Sequence, residues 1–248
     1  MAHHSSPAEP TAVPHHHDIP TTNEETQQAN RTFFDDMAHD HGHAIPEWAK
    51  DLSQAAGEAI LKAYDFKKDE TSVLEFACGS GYVSQVLAPH AQSITGVDIS
   101  QGQVDLYNKR AADLGYTPDQ MKAICATWED LDTKLGGAKF DLVVCAQSYH
   151  HFTDINLVTR ILVSFLKPST GKLIVLDGVK SEAGWKFPVP KAASFSHAVI
   201  AHRGGFSQEE IENVFKEAGL EDVEFDVPIK REWEEFKIGI FLVKGRAK

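Results

Sequence analysis

The sequence has little cysteine, a deficit of basic residues and no long apolar run, and each shortage excludes a class of protein. Three cysteines in 248 residues, without Cys-x-x-Cys spacing, form neither a disulfide framework nor a zinc site. The excess of 36 acidic over 24 basic residues argues against a nucleic-acid substrate, because phosphates bind to basic surfaces. No apolar run reaches the roughly 18 residues of a membrane span, and the N-terminus lacks an apolar signal segment. We therefore expect a cytoplasmic protein that binds neither nucleic acid nor membrane.

The N-terminal segment has the composition of a disordered tail. Residues 1–22 are rich in Pro, Thr, Ser and His and contain almost no large apolar side chain, so they cannot bury enough surface to offset their ordering entropy. Residues 23–248 are predicted to form one domain. Histidines are frequent in the tail and also alternate at His39, His41 and His43. Because no fourth ligand of certain identity lies nearby, we expect no metal site.

The rest of the chain alternates between short apolar runs and helical segments. This alternation predicts an α/β fold with a Rossmann-like, doubly wound, seven-stranded and mostly parallel sheet. The predicted strands are residues 72–77, 92–97, 121–125, 140–146, 171–177, 222–228 and 237–243. Two amphipathic helices within residues 23–66 are expected to form a cap. Residues 178–206 are expected to form a lid, and the last strand is expected to pair antiparallel with the sheet.

The stretch VLEFACGSG, which follows the first helices, predicts a ligand-binding turn at the end of the first strand. Gly79 and Gly81 begin a G-x-G-x-x-G pattern, but Ser84 occupies its last position, which disfavours a dinucleotide. Glu75 precedes the turn and would repel a pyrophosphate, whereas it would attract a cationic amino group. The pattern therefore favours a ligand with an ammonium group, such as S-adenosylmethionine.

Further polar residues follow the next predicted strands. Asp98 ends the second strand, about 20 residues beyond the turn, where a carboxylate can accept hydrogen bonds from both ribose hydroxyls. Trp128, with Glu129 or Asp130, follows the third strand and could flank a purine. The fourth strand ends in the polar segment CAQSYHHF. Because parallel strands bring their carboxyl ends to one edge, these groups are expected to meet in one crevice.

In order and spacing, these motifs resemble the class I S-adenosylmethionine-dependent methyltransferases. Within that family the chain is most similar to small-molecule enzymes of the ubiquinone and menaquinone biosynthesis type, over roughly residues 31 to 244. The segments that carry the resemblance are VLEFACGSG, GVDIS, FDLVVCAQSYHHF, LKPSTGKLIVLD and FSQEEIENVFKEAGLEDV. One departure is Ala77, where the family usually has glycine.

The resemblance implies where the cofactor S-adenosylmethionine would lie. Its implied binding residues are Glu75, Ala77, Gly79 and Gly81 at the methionine moiety, Asp98 at the ribose, Ile99, Trp128 and Glu129 at the adenine, Ala146 and Gln147 near the sulfonium, and Phe34 on the covering helix.

The expected reaction is an in-line transfer of the methyl group to a small organic acceptor. Such a displacement needs a base only when the nucleophile carries a proton. His150 and His151 are the candidate catalytic residues, with His197 and His202 as weaker ones, and catalysis by proximity alone stays open. Two further alternatives are a non-catalytic cofactor-binding partner subunit and a protein or peptide methyltransferase. The sequence predicts neither the acceptor nor the oligomeric state.

Overall fold

The structure, a computed structural model, describes residues 22–40, 45–180, 199–233 and 236–248. The predicted tail lies outside these residues except for Thr22, and so do His41 and His43. The predicted lid at 178–206 is described only at its two ends, so His197 also lies outside.

A mixed seven-stranded sheet forms the centre of the molecule, in the order β3-β2-β1-β4-β5-β7-β6. The strands are β1 (Ser72–Phe76), β2 (Ser93–Asp98), β3 (Met121–Cys125), β4 (Leu142–Ala146), β5 (Lys172–Gly178), β6 (Glu221–Trp233) and β7 (Phe236–Arg246). Strands β1 to β5 pair in parallel, and β7 runs antiparallel to both of its neighbours. The predicted fold class is therefore confirmed, including the antiparallel last strand.

Helices cover both faces of the sheet. They are α1 (Asn23–Asp40), α2 (Glu47–Ala63), α3 (Tyr82–Leu87), α4 (Gln101–Asp113), α5 (Leu131–Leu135), α6 (Ile155–Ser164) and α7 (Gln208–Glu217). Side-chain caps start four of them where the sequence has a capping residue, and at α1 the cap is Thr22, which accepts from the Glu25 N–H. Ser100 accepts from the Gln103 N–H, Asp154 from the Leu157 N–H, and Ser207 forms a capping box with Glu210.

Apolar side chains fill a separate core on each face of the sheet. One core packs α2, α3 and α4 against one face of the sheet, from β1 to β7, and the other packs α5, α6 and α7 against the opposite face, where β1, β2, β4, β5 and β7 contribute buried side chains. Strand β4 is buried along its whole length, as expected for a central parallel strand. With both faces covered, the carboxyl-terminal edge of the parallel strands is left to form a site, and α1 lies across this edge against α4.

Within the described residues, none of the helices combines the length and apolarity that crossing a bilayer requires.

Candidate functional site

A cavity of about 270 Å³ lies at the carboxyl ends of β1, β2 and β4, beneath α1. Most of the residues predicted to bind a cofactor line it: Phe34, Glu75, Ala77, Gly79, Asp98, Ile99, Trp128, Ala146 and Gln147. His151 also lines the cavity. The predicted residues Gly81, Glu129 and His150 are absent from its lining. The fold thus brings four separate strand-end segments together as the sequence predicts, and the cofactor roles themselves stay predictions.

The turn after β1 is held by backbone contacts to β2. Ala77 adopts φ 54°, a left-handed conformation in which glycine is more common, which explains why the family usually has glycine at this position. The Cys78 N–H donates to the Val97 carbonyl at 3.0 Å, and the Gly79 N–H donates to Asp98 Oδ2 at 2.8 Å. A Cβ on Gly79 would meet only Gln103 Oε1, at 3.9 Å, so the turn is open at this residue.

Gly81 has a different reason to be glycine. It is the N-cap of α3, with φ 84°, and a Cβ there would lie 2.7 Å from the Tyr107 ring. The residue is therefore required for close packing against α4 rather than by its position in the cavity wall.

Ser84, which occupies the place of the third glycine, donates a hydrogen bond to Glu75 Oε2. Glu75 is buried, and this burial raises its pKa to about 7, although hydrogen bonds from Ser84 oppose the rise. A nearby cation would favour the ionised form. The site therefore fits the ammonium group of S-adenosylmethionine better than a phosphate.

Asp98 connects the floor of the cavity to the turn. Its Oδ2 accepts from the Gly79 N–H, and its Oδ1 accepts from the Ser100 N–H at 3.0 Å. Burial raises the pKa of Asp98, while these N–H donors act in the opposite direction. Each oxygen keeps a further acceptor position, so the carboxylate can still receive ribose hydroxyls.

Contacts from α1, which the sequence did not indicate, hold the roof of the cavity in place. Asp35 Oδ1 accepts from Ser100 Oγ at 2.6 Å and from the Gly102 N–H at 3.0 Å. The Phe34 carbonyl accepts from Gln103 Nε2 at 3.2 Å. The exposed Glu129 accepts from Gln27 Nε2 at 3.1 Å, so this predicted adenine contact bonds to the roof in the structure.

The two adjacent histidines have different surroundings. His151 Nδ1 lies 2.7 Å from the Val199 carbonyl, so Nδ1 carries the proton and Nε2 is an acceptor. Burial, with a smaller effect of His150, lowers the pKa of His151 to about 3. The His150 Nδ1 lies 3.0 Å from both oxygens of Asp177, and both of these side chains are buried.

Asp177 could have been found from the sequence. Like Asp98, it is an acidic residue at the carboxyl end of a buried strand. Burial raises its pKa, but His150 and backbone N–H donors outweigh this effect and the net pKa is lowered. Asp177 is therefore ionised at neutral pH and fixes the ring of His150.

Two amide atoms of the cavity lining are buried without a hydrogen-bond partner, Asn30 Oδ1 and Gln147 Nε2. Gln147 also has φ 57°, which is strained for a residue other than glycine. Unpaired polar atoms and backbone strain are both common at ligand sites. Among the described residues, no group of three or more His, Cys, Asp or Glu side chains is arranged to hold a metal ion.

The fold and site define an α/β protein with a Rossmann-like sheet and a ligand-sized crevice at the carboxyl ends of its parallel strands. Residues 73–169 match a family described as a methyltransferase domain. An uncharacterised methyltransferase of Schizosaccharomyces pombe is 34% identical over 187 residues, which is 73% of this chain and 65% of that protein. A ubiquinone biosynthesis O-methyltransferase of Actinobacillus pleuropneumoniae is 27% identical, over 39% of this chain and 41% of its own.

The geranyl diphosphate C-methyltransferase of Streptomyces coelicolor has the same fold. Its structure aligns with a TM-score of 0.64, at 14% identity, over 92% of this chain and 100% of its own. Residues 73–169 therefore match a methyltransferase domain, and the chain is similar in sequence and fold to methyltransferases, as its motifs indicated. It spans between 41% and 65% of the length of these two curated relatives.

Proposed function

We propose that the chain binds S-adenosylmethionine and transfers its methyl group to a small organic acceptor. The observation that carries this proposal is the pair of buried carboxylates, Glu75 and Asp98, on either side of the turn after β1. No lysine or arginine lines the cavity in the part of the chain that the structure describes. The site is therefore suited to a cation with hydroxyl groups. When bound, S-adenosylmethionine supplies an electrophilic methyl group on a sulfonium.

The residues of the chain bind and orient the reactants and exclude water. Glu75 receives the ammonium group, and Asp98 receives the ribose hydroxyls. Trp128 and Ile99 provide apolar contacts for the adenine, while Phe34 covers the site from α1. A displacement with a good leaving group depends mainly on such orientation and on the exclusion of water.

A roofed cavity supports a small acceptor rather than a protein substrate. Met37 of α1, Ile45 just before α2 and Ala49 of α2 contribute to its wall, so the helical side of the cavity offers apolar groups to an acceptor. The name of the ubiquinone biosynthesis relative also indicates a small acceptor for that enzyme. Because cationic side chains are missing from the described lining, we propose an acceptor without a phosphate group.

His151 is the better candidate of the two histidines for contact with the acceptor. Its ring lines the cavity beside Phe34, with ring centroids 5.4 Å apart, and its Nε2 is an acceptor. With a pKa of about 3, His151 is a weak base, so we propose that it orients a hydroxyl of the acceptor and receives its proton only as the transfer proceeds. His150, held by Asp177, positions this segment.

Binding and turnover test the proposed function separately. Calorimetry with S-adenosylhomocysteine, the demethylated product, is expected to give a one-to-one complex with the full chain. A methyl-release assay with a panel of phenols, thiols and carbon acids then identifies the acceptor class. If the chain binds neither S-adenosylmethionine nor its product, the proposal is wrong. Binding without turnover on any small molecule would favour a non-catalytic partner subunit, and turnover only on peptides would favour a protein methyltransferase.

The histidine roles predict different losses in two variants. We expect His151→Ala to lower turnover by about 10- to 100-fold with little change in the affinity for S-adenosylhomocysteine, because the side chain faces the acceptor. His150→Ala should chiefly lower stability, since it leaves the buried Asp177 carboxylate without its side-chain partner. Turnover assays with urea unfolding separate the two effects. Unchanged turnover in His151→Ala would leave proximity as the whole mechanism.

A further inference from the structure

A chain of three buried side chains leads from α4 to the carboxylate that faces the cavity. The Tyr107 hydroxyl donates to Ser84 Oγ at 2.7 Å, and Ser84 Oγ donates to Glu75 Oε2. Tyr107 and Ser84 are fully buried, and Glu75 is 3% exposed. Each residue comes from a different element: α4, α3 and β1.

The hydroxyl of Tyr107 has a specific use in this arrangement. Burial raises the pKa of Tyr107 well above its ordinary value, so the hydroxyl stays protonated and remains a donor. Ser84 has a single hydroxyl proton, and accepting from Tyr107 leaves that proton for Glu75. The tyrosine therefore sets the direction of the second hydrogen bond and, through it, the orientation of the carboxylate.

Glu75 depends on these donors because the charged and titratable groups around it offer no compensation. Asp98 acts on it electrostatically and raises its pKa, while Cys78, Cys145 and Tyr107 are weak acids whose raised pKa values keep them protonated. Among the described residues that shift the pKa of Glu75 there is no lysine or arginine. Without a bound cation, hydrogen bonds from Ser84 are what favour its ionised form.

We propose that Tyr107 is a positioning residue for the ammonium group of the cofactor, acting through Ser84 on the Glu75 carboxylate. This inference rests on the proposed function, since it assumes that the ammonium group binds at Glu75. Tyr107 lies outside the cavity lining, so its effect on the ligand is indirect.

Calorimetry of the full chain with two ligands tests this role. S-adenosylhomocysteine carries the ammonium group, and 5′-methylthioadenosine lacks the whole amino-acid part. We expect Tyr107→Phe to weaken S-adenosylhomocysteine about 3- to 10-fold at pH 7, and Ser84→Ala to weaken it about 10- to 100-fold. The double variant should bind no more weakly than Ser84→Ala, because both changes interrupt one chain. Affinity for 5′-methylthioadenosine should stay within about twofold of the wild type.

The pH profile provides a second readout. In Tyr107→Phe the Ser84 hydroxyl is no longer directed at Glu75, so Glu75 ionises at a higher pH and the rise in affinity for S-adenosylhomocysteine between pH 6 and pH 8 should move to higher pH. Tyr149→Phe is the matched control, because Tyr149 is also fully buried but its hydroxyl pairs with Thr159 Oγ1 at 3.0 Å. This control should leave both affinities and the profile unchanged.

The outcomes separate this inference from the proposed function. A wild-type chain that binds neither ligand contradicts the proposed function. A wild type that binds both, with Tyr107→Phe unchanged in affinity and profile, contradicts the role of Tyr107 alone. Equal weakening of both ligands in Tyr107→Phe would also overturn it, since that result indicates a general loss of structure in the site.

Discussion

The glycines of the turn after β1 differ in what their missing Cβ permits. Gly79 has open space where a side chain would begin, whereas Gly81 lies against the ring of Tyr107. Both have positive φ, so the backbone conformation alone does not distinguish them. The difference matters because Tyr107 both packs against the turn and donates to Ser84. A side chain at Gly81 would therefore displace the start of the hydrogen-bonded chain.

Gly81→Ala should destabilise the protein more than Gly115→Ala. Both glycines have φ 84°, but a Cβ on Gly115 has nothing within 4 Å. The left-handed conformation costs about 1–2 kcal/mol in each variant, and the contact with Tyr107 adds about 1–3 kcal/mol in Gly81→Ala. Urea unfolding of the two variants measures the difference directly. An equal loss of unfolding free energy in the two variants would show that the Tyr107 ring moves aside at no cost.

At the scale of elements, the roof of the cavity depends on how α1 meets the start of α4. Asp35 joins Ser100 and Gly102, and Ser100 follows Asp98 by two residues. The roof is thus attached to the segment that contains the predicted ribose ligand. The second helix, α2, is attached differently, since Leu52, Ala56 and Ile60 pack into the core. It also forms a surface ion pair between Asp51 and Arg231, at 2.7 Å.

Asp35→Ala should loosen α1 without unfolding the sheet. Loss of two hydrogen bonds to the carboxylate is expected to reduce local stability by about 1–2 kcal/mol, which corresponds to roughly tenfold faster hydrogen exchange in residues 23–40. Hydrogen-exchange mass spectrometry provides the measurement. Asp51→Ala is the control, because an exposed ion pair contributes little. If α1 exchanges no faster in Asp35→Ala than in this control, the attachment of the roof lies elsewhere.

Periodicity and strand-end chemistry predict most of this architecture. Apolar runs place β1 to β5 within one or two residues of their observed bounds. The predicted hairpin strands at 222–228 and 237–243 are too short, since charged residues such as Lys230, Glu232 and Lys244 interrupt the apolar pattern beyond these bounds. Asp35 and the Tyr107–Ser84 contact could not be predicted, because they join elements distant in sequence through single side chains.

At the scale of the whole molecule, Glu75 links the stability of the ligand-free fold to pH. Its pKa is about 7 in the folded state against an ordinary value of 4.5. The folded state therefore holds this proton more tightly than the unfolded chain does. The resulting stabilisation is fully present below pH 4.5, declines as the pH rises and is lost above pH 7.

Glu75→Gln should remove this dependence. Relative to the variant, the wild type is expected to lose on the order of 3 kcal/mol between pH 5 and pH 8, since Gln does not ionise. Urea unfolding of the ligand-free proteins at four pH values checks the slope. Glu70→Gln changes an exposed turn residue, so its free energy of unfolding should vary with pH in the same way as that of the wild type. Parallel curves for Glu75→Gln and the wild type would place the Glu75 pKa near its ordinary value.

The attachment of α1 through Asp35 is also expected to affect how fast a ligand binds and dissociates. If α1 has to move away before a ligand can bind or leave, the rate at which it opens limits both the association rate and the dissociation rate. Loosening it speeds association and dissociation together and leaves their ratio nearly unchanged. We therefore expect the floor, with Glu75 and Asp98, to set the affinity for a ligand, and α1 to change the association and dissociation rates together.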